Sequence, residues 1–406
     1  MYNFLLSLLK KKNKEFYKIL KYFKHIILFK KNFIKRNYSE IEKIIINIEN
    51  ESYSEFKKKN FLKNLNKKST LGVLEINNSC NINCVMCDTK SSSRQKKLMD
   101  LNLCEKSVKE MKLGGINSVL LHTIGDPLAN VKLKDYLKIL RNYNIQAGIS
   151  TNGLMLDKHL ETLLEYFDIC SNIRFSIDGV KKETYEKIRF GGNFNKLLEN
   201  LELAVKKLKP CGYEILIDCV VTKDNFDELG DFIVFFKKYI NYPYKNMHFN
   251  FMNSLSPSNN YFLKNNVIEE RTSKNFYCNF ASKLTPYVLV DGRVSACCRD
   301  YDGSLVVDNI HNTKISEMSK NQGFKRLQNT HLNEVDNINS YDLCKSCYEV
   351  DTRFALLWSK TISMMLFKHP NNNAKFYQEI LNKLLFILKN FEKNNFKKFL
   401  NKYSLI

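Results

Sequence analysis

A regular alternation of strand-like and helix-like segments between residues 71 and 252 constrains the fold of this 406-residue chain more than any other feature. Each segment between two strand candidates carries apolar residues at helical spacing, and such alternation predicts a parallel sheet built from right-handed crossovers. The strand candidates are LGVLEIN (71–77), NSVLLHTI (117–124), IQAGIST (145–151), NIRFSID (172–178), EILIDCVVT (214–222) and NMHFNFM (246–252). Six units fall short of an eight-stranded barrel, so we expect an α/β fold with a partial (β/α)6 barrel over residues 71–255.

The regions on either side of the expected barrel have a different pattern. Residues 1–70 and 351–406 are Lys-rich with helical periodicity, and we expect helical extensions at both ends. Between them, residues 275–350 contain PYVLVDGRVSACC, which predicts a β-hairpin turning at Asp291–Gly292. This region is expected to form a small C-terminal α+β domain.

The charge and the cysteine content limit the choice of partners and compartment. The formal charge is +22, but its lysines are spread along the chain, so we expect no nucleic-acid partner. A basic amphipathic helix within residues 1–70 could instead lie on an anionic membrane at the inner surface. No stretch reaches the ~18 apolar residues of a membrane span. We expect a cytoplasmic protein, in which clustered cysteines indicate metal binding or catalysis before disulfides.

Three cysteines, Cys80, Cys84 and Cys87, follow the first strand candidate with the spacing C-x3-C-x2-C. Their position places them in the first loop on the carboxyl side of the sheet, where barrels of this kind carry their active sites. Three thiolates on a four-iron cluster leave one iron open to a ligand from outside the chain.

This motif, placed after the first strand of a partial barrel, resembles the signature of the radical S-adenosylmethionine (radical SAM) superfamily. The resemblance implies a 4Fe–4S cluster whose open iron binds the amino and carboxylate groups of S-adenosylmethionine (SAM). It further implies reductive cleavage of SAM to a 5′-deoxyadenosyl radical, which abstracts a hydrogen atom from a substrate. An external electron donor, such as flavodoxin or ferredoxin, is implied as a partner.

The resemblance continues at the ends of the next three strand candidates. IGDPL resembles the family's Gly-Glu-Pro motif, with Asp in place of Glu, and STNG and FSIDG resemble segments that contact the cofactor. Gly-Asp-Pro and Thr-Asn-Gly are also ordinary turn sequences when taken alone. The residues that the resemblance implies for cofactor binding are Met86, Gly125, Asp126, Pro127, Ser150, Asn152, Ser176 and Arg189.

A second set of four cysteines follows the barrel: Cys278, Cys297, Cys344 and Cys347. Their spacing alone suits either a four-thiolate zinc site or an iron–sulfur cluster. The run from Gly292 to Cys297 resembles the G-x4-C hairpin of the SPASM or Twitch auxiliary domains of radical SAM enzymes. The resemblance implies a second, auxiliary 4Fe–4S cluster, with Cys298 as the alternative ligand to Cys297.

The sequence does not single out one residue as the acid or base of the reaction. His122, Asp178 and Asp218 are candidate bases by their positions at strand ends. We expect a radical SAM oxidoreductase acting on a sugar, a cyclitol or another small alcohol. A peptide- or protein-modifying maturase is the alternative within the family. The alternative from another class is a non-enzymatic zinc or iron–sulfur protein with a basic surface for membrane or nucleic acid.

Overall fold

The computed structural model describes residues 14–65, 67–252, 260–268, 272–274, 277–312, 314–333 and 340–405. The domain boundaries expected at residues 255 and 275 lie outside these ranges. The α-helices are α1 (Lys14–Asn50), α2 (Tyr53–Asn64), α3 (Leu101–Leu113), α4 (Leu133–Asn142), α5 (Leu156–Glu165), α6 (Lys182–Ile188), α7 (Phe194–Lys207), α8 (Leu229–Phe236), α9 (Pro243–Asn246), α10 (Asn260–Asn265), α11 (Asn279–Ser282), α12 (Gln322–Asn333), α13 (Asp342–Ser346), α14 (Thr352–Lys368), α15 (Ala374–Lys389) and α16 (Lys393–Lys402). The strands are β1 (Leu71–Leu74), β2 (Ser118–Leu120), β3 (Gln146–Thr151), β4 (Asn172–Ser176), β5 (Glu214–Val221), β6 (Met247–Phe251), β7 (Thr272–Lys274), β8 (Tyr287–Val288), β9 (Arg293–Ser295), β10 (Val306–Asn309) and β11 (Tyr348–Val350).

The strands β1 to β6 pair in sequence order and are all parallel. Within the described residues this sheet does not close, because β6 and β10 form its two edges. The α/β fold with an open, partial barrel is therefore confirmed. All six strand candidates contain one of these strands, although β1 and β2 are shorter than their candidate segments.

The periodicity of the helices and strands accounts for the core. On α4 the buried residues Leu133, Tyr136, Leu137 and Leu140 recur at helical spacing, which turns one face to the sheet. The strand β5 buries every second residue, as expected for a period of two.

The predicted hairpin joins the barrel sheet instead of forming a separate layer. Its turn is at Gly292, where a φ of +83° favours glycine. The strand β8 pairs with β1 in parallel, with Val73 opposite Tyr287 and Leu74 opposite Val288. The strands β9 and β10 continue outward, antiparallel, so nine of the described strands form one sheet.

The C-terminal helices cover the other edge of the sheet. The indole Nε1 of Trp358, on α14, donates to the carbonyl oxygen of Phe249 on β6 at 3.0 Å. The helix α1 packs along α14, and Phe33 contacts the rings of Tyr244 and Phe367. Part of the apolar stripe of the N-terminal extension is thus used for packing on the protein. Among the helices in the described ranges, none has the length and apolar character that crossing a membrane requires.

Candidate functional site

The loops that follow the barrel strands meet around a cleft of about 890 Å³ at the carboxyl ends of β1 to β4. The three cysteines of the first motif line it. Seven of the eight residues expected to contact the cofactor line the same cleft: Met86, Gly125, Asp126, Ser150, Asn152, Ser176 and Arg189. The eighth, Pro127, is buried at the start of a short 3₁₀ turn and is not part of the lining. The structure thus brings together residues separated by more than a hundred positions.

The cysteine loop is held in place by the segment that carries Arg189. The backbone N–H groups of Asn83 and Val85 donate to the carbonyl oxygens of Phe190 and Ile188, at 2.8 and 2.9 Å. The guanidinium Nη1 of Arg189 lies 3.6 Å from Cys84 Sγ. On the other side of the cleft, Asn152 Nδ2 lies 3.6 Å from Cys80 Sγ. Two of the three sulfurs therefore lie near an N–H donor. Donors near sulfur stabilise the thiolates that bind a metal cluster.

Burial controls the protonation of these thiols in the protein alone. It raises the pKa of Cys80 to about 12 and the pKa of Cys84 above its ordinary value, although Arg189 opposes the shift at Cys84. Metal ligation requires the thiolate form, and a nearby metal ion is the usual cause of deprotonation at such sites. The donor set therefore fits an iron–sulfur cluster.

Asp126 joins two of the loops through its side chain. Its carboxylate accepts from the backbone N–H groups of Leu128 and Asn152, at 2.9 and 2.7 Å, and from the Thr151 hydroxyl at 2.8 Å. A Cβ on the preceding Gly125 would come within 2.3 Å of the Asn77 carbonyl oxygen, so only glycine allows this close approach. The Asp126 side chain thus helps to fix the Gly-Asp-Pro segment, together with the close packing of its main chain at Gly125.

The candidate bases differ in their surroundings. Asp178 is fully buried and accepts from Arg189 Nε at 2.6 Å and from the Val220 N–H at 2.7 Å. Burial alone would lower the pKa of Arg189, but the combined effect of Asp178, Cys84 and Tyr185 raises it above its ordinary value. Asp178 therefore acts as the partner that orients Arg189, and it does not line the cleft.

Asp218 is similarly occupied and also lies outside the lining of the cleft. It pairs with Arg174 Nη1 at 2.6 Å and with His248 Nδ1 at 2.7 Å. Only His122, of the three candidates, lines the cleft. Among the described residues its buried Nδ1 has no hydrogen-bond partner, and burial lowers the pKa of His122 to about 4. His122 is therefore neutral near pH 7.

The second set of cysteines lines a separate cavity of about 410 Å³. Cys278, Cys297, Cys344 and Cys347 all belong to its lining. The alternative ligand Cys298 lines the first cleft instead, so these two adjacent residues face different spaces. Both residues lie beyond the end of β9 at Ser295, and their thiols are hydrogen-bonded to each other at the boundary between the two spaces.

Polar groups surround the sulfurs of this cavity. The Arg299 Nη1 lies 3.3 Å from Cys347 Sγ, and the Arg299 backbone N–H lies 3.4 Å from Cys297 Sγ. His331 Nε2 lies 3.8 Å from Cys344 Sγ. In the described part of the chain, no three His, Cys, Asp or Glu side chains are placed to hold a single metal ion. Four thiols around one cavity are a donor set that fits an iron–sulfur cluster.

Sequence patterns did not predict two features of the site. Arg299 and Tyr301 line the cleft from the segment after β9, which is remote in sequence from the barrel loops. Glu75, just after β1, forms a buried bidentate ion pair with Arg94, with nitrogen–oxygen distances of 2.6 and 2.8 Å. The only signal for Arg299 was its place two residues after Cys297.

Comparison with known families agrees with this arrangement. Residues 74–233 match the model of the radical SAM superfamily, and residues 278–348 match SPASM, described as an iron-sulfur cluster-binding domain. These matches, on the fold and the two cysteine sites, define an enzyme class in which a 4Fe–4S cluster and SAM are the cofactors and SPASM domains bind auxiliary clusters. The chain belongs to the radical SAM superfamily and carries a C-terminal SPASM domain.

Individual relatives are distant. GTP 3′,8-cyclase of Clostridium botulinum (strain Okra / Type B1) is 29% identical over 176 residues, which is 41% of this chain and 52% of that protein. Mycofactocin maturase MftC of Mycobacterium ulcerans (strain Agy99) is 24% identical over 41% of this chain and 43% of that protein. The chain thus spans about half the length of the curated relatives it matches.

Among solved structures, native anSMEcpe with bound AdoMet has a TM-score of 0.51 and 17% sequence identity. The similarity covers 83% of this chain and 99% of that one. At this identity the match shows a shared fold.

Proposed function

We propose that this protein is a radical SAM oxidoreductase that oxidises a hydroxylated small molecule and passes an electron to an auxiliary 4Fe–4S cluster. One observation carries the proposal: the two cysteine sites share a wall. In that wall Cys297 faces the auxiliary cavity, Cys298 faces the cleft, and Arg299 lines both. A substrate held in the cleft would therefore lie beside a site able to take its electron.

The proposed reaction converts an alcohol into a carbonyl compound. When bound, the cofactors of the cleft supply a 5′-deoxyadenosyl radical, and the auxiliary cluster supplies an electron acceptor. The substrate alcohol loses in total one hydrogen atom from carbon, the hydroxyl proton and one electron. We assign the electron that starts each turnover to an external donor such as flavodoxin or ferredoxin.

The residues expected to bind the cofactors divide between the cleft and the auxiliary cavity. Cys80, Cys84 and Cys87 bind the SAM cluster, and Cys278, Cys297, Cys344 and Cys347 bind the auxiliary cluster. Arg189, oriented by Asp178, binds the carboxylate of SAM together with Ser176, since a guanidinium fork matches a carboxylate. The remaining proposed contacts with SAM are Met86, Gly125, Asp126, Ser150 and Asn152. Pro127, which is buried outside the lining, is proposed to fix the turn that carries Gly125 and Asp126.

The proposed base is His122. It lines the cleft, and its Nδ1 has no partner within the described residues. A neutral imidazole can accept a proton directly. Because the pKa of His122 is low, the side chain then releases that proton to solvent. Asp178 and Asp218 already hold arginine partners, which argues against either as the base.

The substrate that we propose is a sugar, a cyclitol or another small alcohol. GTP, on which the clostridial relative acts, is itself a phosphorylated molecule that contains a sugar. The similarity to the mycofactocin maturase favours a second candidate, modification of a peptide or protein. We further propose a cytoplasmic location, with residues 1–70 available for contact with the inner membrane surface.

Anaerobically reconstituted protein tests the proposal when it is incubated with SAM and dithionite. We expect the wild type to form 5′-deoxyadenosine, and the Cys84→Ala variant to form none. A matched control is Cys211→Ala, because Cys211 is exposed and lies in neither lining. Zinc in the auxiliary site, or no 5′-deoxyadenosine with any sugar, cyclitol or peptide, would favour the non-enzymatic metal-binding alternative.

A further inference from the structure

One side chain in the auxiliary cavity, His331, has no task in the proposed radical chemistry. It lies on α12, lines the cavity and is 1% exposed. Its Nε2 lies 3.8 Å from Cys344 Sγ, and among the described residues its buried Nδ1 has no hydrogen-bond partner. The polar contact that the structure gives this ring is thus with a sulfur that we assign to the auxiliary cluster.

The direction of this contact follows from the chemistry of a ligand thiol. A cysteine binds a metal cluster as a thiolate, which has no proton to donate. The Nε2 of His331 must then carry the hydrogen and donate it to Cys344 Sγ. In a neutral imidazole the hydrogen bond made by one ring nitrogen decides where the proton sits, so Nδ1 is left as an unprotonated acceptor.

Two neighbours hold the His331 ring in this place. Phe61, on α2 of the N-terminal extension, is fully buried, and its ring centroid lies 6.4 Å from that of His331. The same phenyl ring lies 6.3 Å from the ring of Tyr277, the residue before Cys278. Gln328, one turn earlier on α12, donates through Nε2 to the carbonyl oxygen at the end of α11 at 3.4 Å. Packing by the N-terminal extension and by α11 thus fixes the donor beside the auxiliary site.

A hydrogen-bond donor at a cluster sulfur favours the reduced form of the cluster. Reduction adds one negative charge, part of which lies on the sulfurs, so a nearby N–H group stabilises the reduced form more than the oxidised form. Hydrogen bonds to the sulfurs are among the factors that set the reduction potential of an iron–sulfur cluster. A cluster with such a donor therefore has a higher reduction potential than the same cluster without it.

We propose that His331 tunes the auxiliary cluster as an electron acceptor, because its Nε2–H group donates to Cys344 Sγ and raises the reduction potential of the cluster. The inference rests on the proposed function, in which the substrate radical loses one electron and the auxiliary cluster gains it. His331 acts on this transfer through Cys344, and it does not line the cleft.

The reduction potential of the auxiliary cluster is measured by redox titration of the anaerobically reconstituted full chain, followed by electron paramagnetic resonance. Addition of SAM changes the signal of the cluster with the open iron, so the other signal belongs to the auxiliary cluster. In His331→Leu we expect a lower auxiliary potential, with about a tenfold loss in the equilibrium for accepting the electron, which is about 59 mV for a one-electron couple. His331→Gln, which places an amide N–H near the position of Nε2, should recover most of this shift.

A second variant, His331→Asn, repeats the test with a polar side chain. Its amide ends short of the position of Nε2, so its potential should fall as in His331→Leu. The control is His311→Leu, because His311 is exposed and lines neither the cleft nor the auxiliary cavity. Its auxiliary potential should equal that of the wild type, and the potential of the SAM cluster should be the same in every variant.

Iron analysis accompanies each titration, and we expect about eight irons per chain in every variant. A wild-type auxiliary potential in both His331→Leu and His331→Asn would overturn the inference. Loss of the auxiliary iron in all three variants of His331 would also overturn it, because the residue would then hold the site together and not tune it.

The outcomes separate this inference from the proposed function. Unchanged potentials in the variants, with an alcohol oxidised by the wild type, would overturn the role of His331 alone. Lowered potentials in His331→Leu and His331→Asn, with no alcohol oxidised by the wild type, would uphold the role of His331 and overturn the proposed function.

Discussion

Glu75→Gln should loosen the auxiliary hairpin from the barrel, because Glu75 joins the two. Its carboxylate is fully buried at the end of β1 and pairs with both terminal nitrogens of Arg94. The same carboxylate accepts from the backbone N–H of Val290, in the hairpin, at 2.9 Å. The Thr123 hydroxyl, from the loop after β2, also donates to it. One buried side chain thus connects three segments, and the Thr123 loop among them lines the cleft.

The free-energy cost of Glu75→Gln is set by the Arg94 charge that stays buried in the variant. Glutamine leaves the Arg94 guanidinium buried without its counter-charge, and removal of one partner of a buried pair costs about 3–5 kcal/mol. A retained hydrogen bond to the glutamine oxygen offsets about 1 kcal/mol of this. We therefore expect a loss of about 3 kcal/mol, which corresponds to roughly a hundredfold change in a local opening equilibrium.

Hydrogen–deuterium exchange measures the effect where it arises. The amides between Pro286 and Val294 should exchange about a hundred times faster in Glu75→Gln than in the wild type. The double variant Glu75→Gln/Arg94→Gln should recover part of the protection, because it removes the stranded charge. The control is Glu165→Gln, since Glu165 pairs with Lys134 at 2.8 Å with both side chains about half-exposed, and exposed pairs contribute ~1 kcal/mol or less. Exchange in Glu75→Gln no faster than in the control would mean that Glu75 does not hold the hairpin on the barrel.

Three further predictions concern the site. Cys297→Ala should lose the auxiliary iron while Cys298→Ala keeps it, because only Cys297 lines that cavity; equal iron losses on analysis would contradict the assignment. Asp126→Ala removes the acceptor of two backbone N–H groups and should weaken SAM binding at least tenfold in equilibrium measurements, with a smaller effect for Asp126→Asn, and unchanged affinity would argue against this role. The pKa of His122 is about 4 in the folded chain against 6.5 for the free group, so the unfolded chain takes up a proton first as the pH falls. The free energy of unfolding should thus decrease by up to about 3 kcal/mol between pH 6.5 and 4, and His122→Asn should flatten that slope in urea titrations; an identical slope would exclude His122 as the cause.

The sequence allowed prediction of the features that depend on local pattern. The alternation of strand and helix periods gave all six parallel strands, and the spacing of Cys80, Cys84 and Cys87 indicated a cluster open to a cofactor. Both signals lie within short windows of the chain. The pairing of β8 with β1 could not be predicted, because it joins residues more than two hundred positions apart and no local pattern selects the edge of the sheet on which a hairpin docks.

The same dependence on contacts between distant segments explains which residue roles within the site could not be predicted. The sequence leaves Cys297 and Cys298 as alternative ligands of the auxiliary cluster. Which of them lines the auxiliary cavity depends on how the hairpin sits on the barrel. Likewise, Asp178 and Asp218 looked equivalent to His122 as bases until their partners Arg189 and Arg174 were placed beside them.

Iron analysis with Mössbauer spectroscopy on anaerobically reconstituted protein shows whether the chain holds two separate four-iron clusters. We expect about eight irons per chain for the wild type. About four should remain when Cys80, Cys84 and Cys87 are all replaced by alanine, and about four when the auxiliary set is replaced. The residues of that set are Cys278, Cys297, Cys344 and Cys347. About four irons in the wild type, accompanied by zinc or unchanged by replacement of the auxiliary set, would exclude a second cluster.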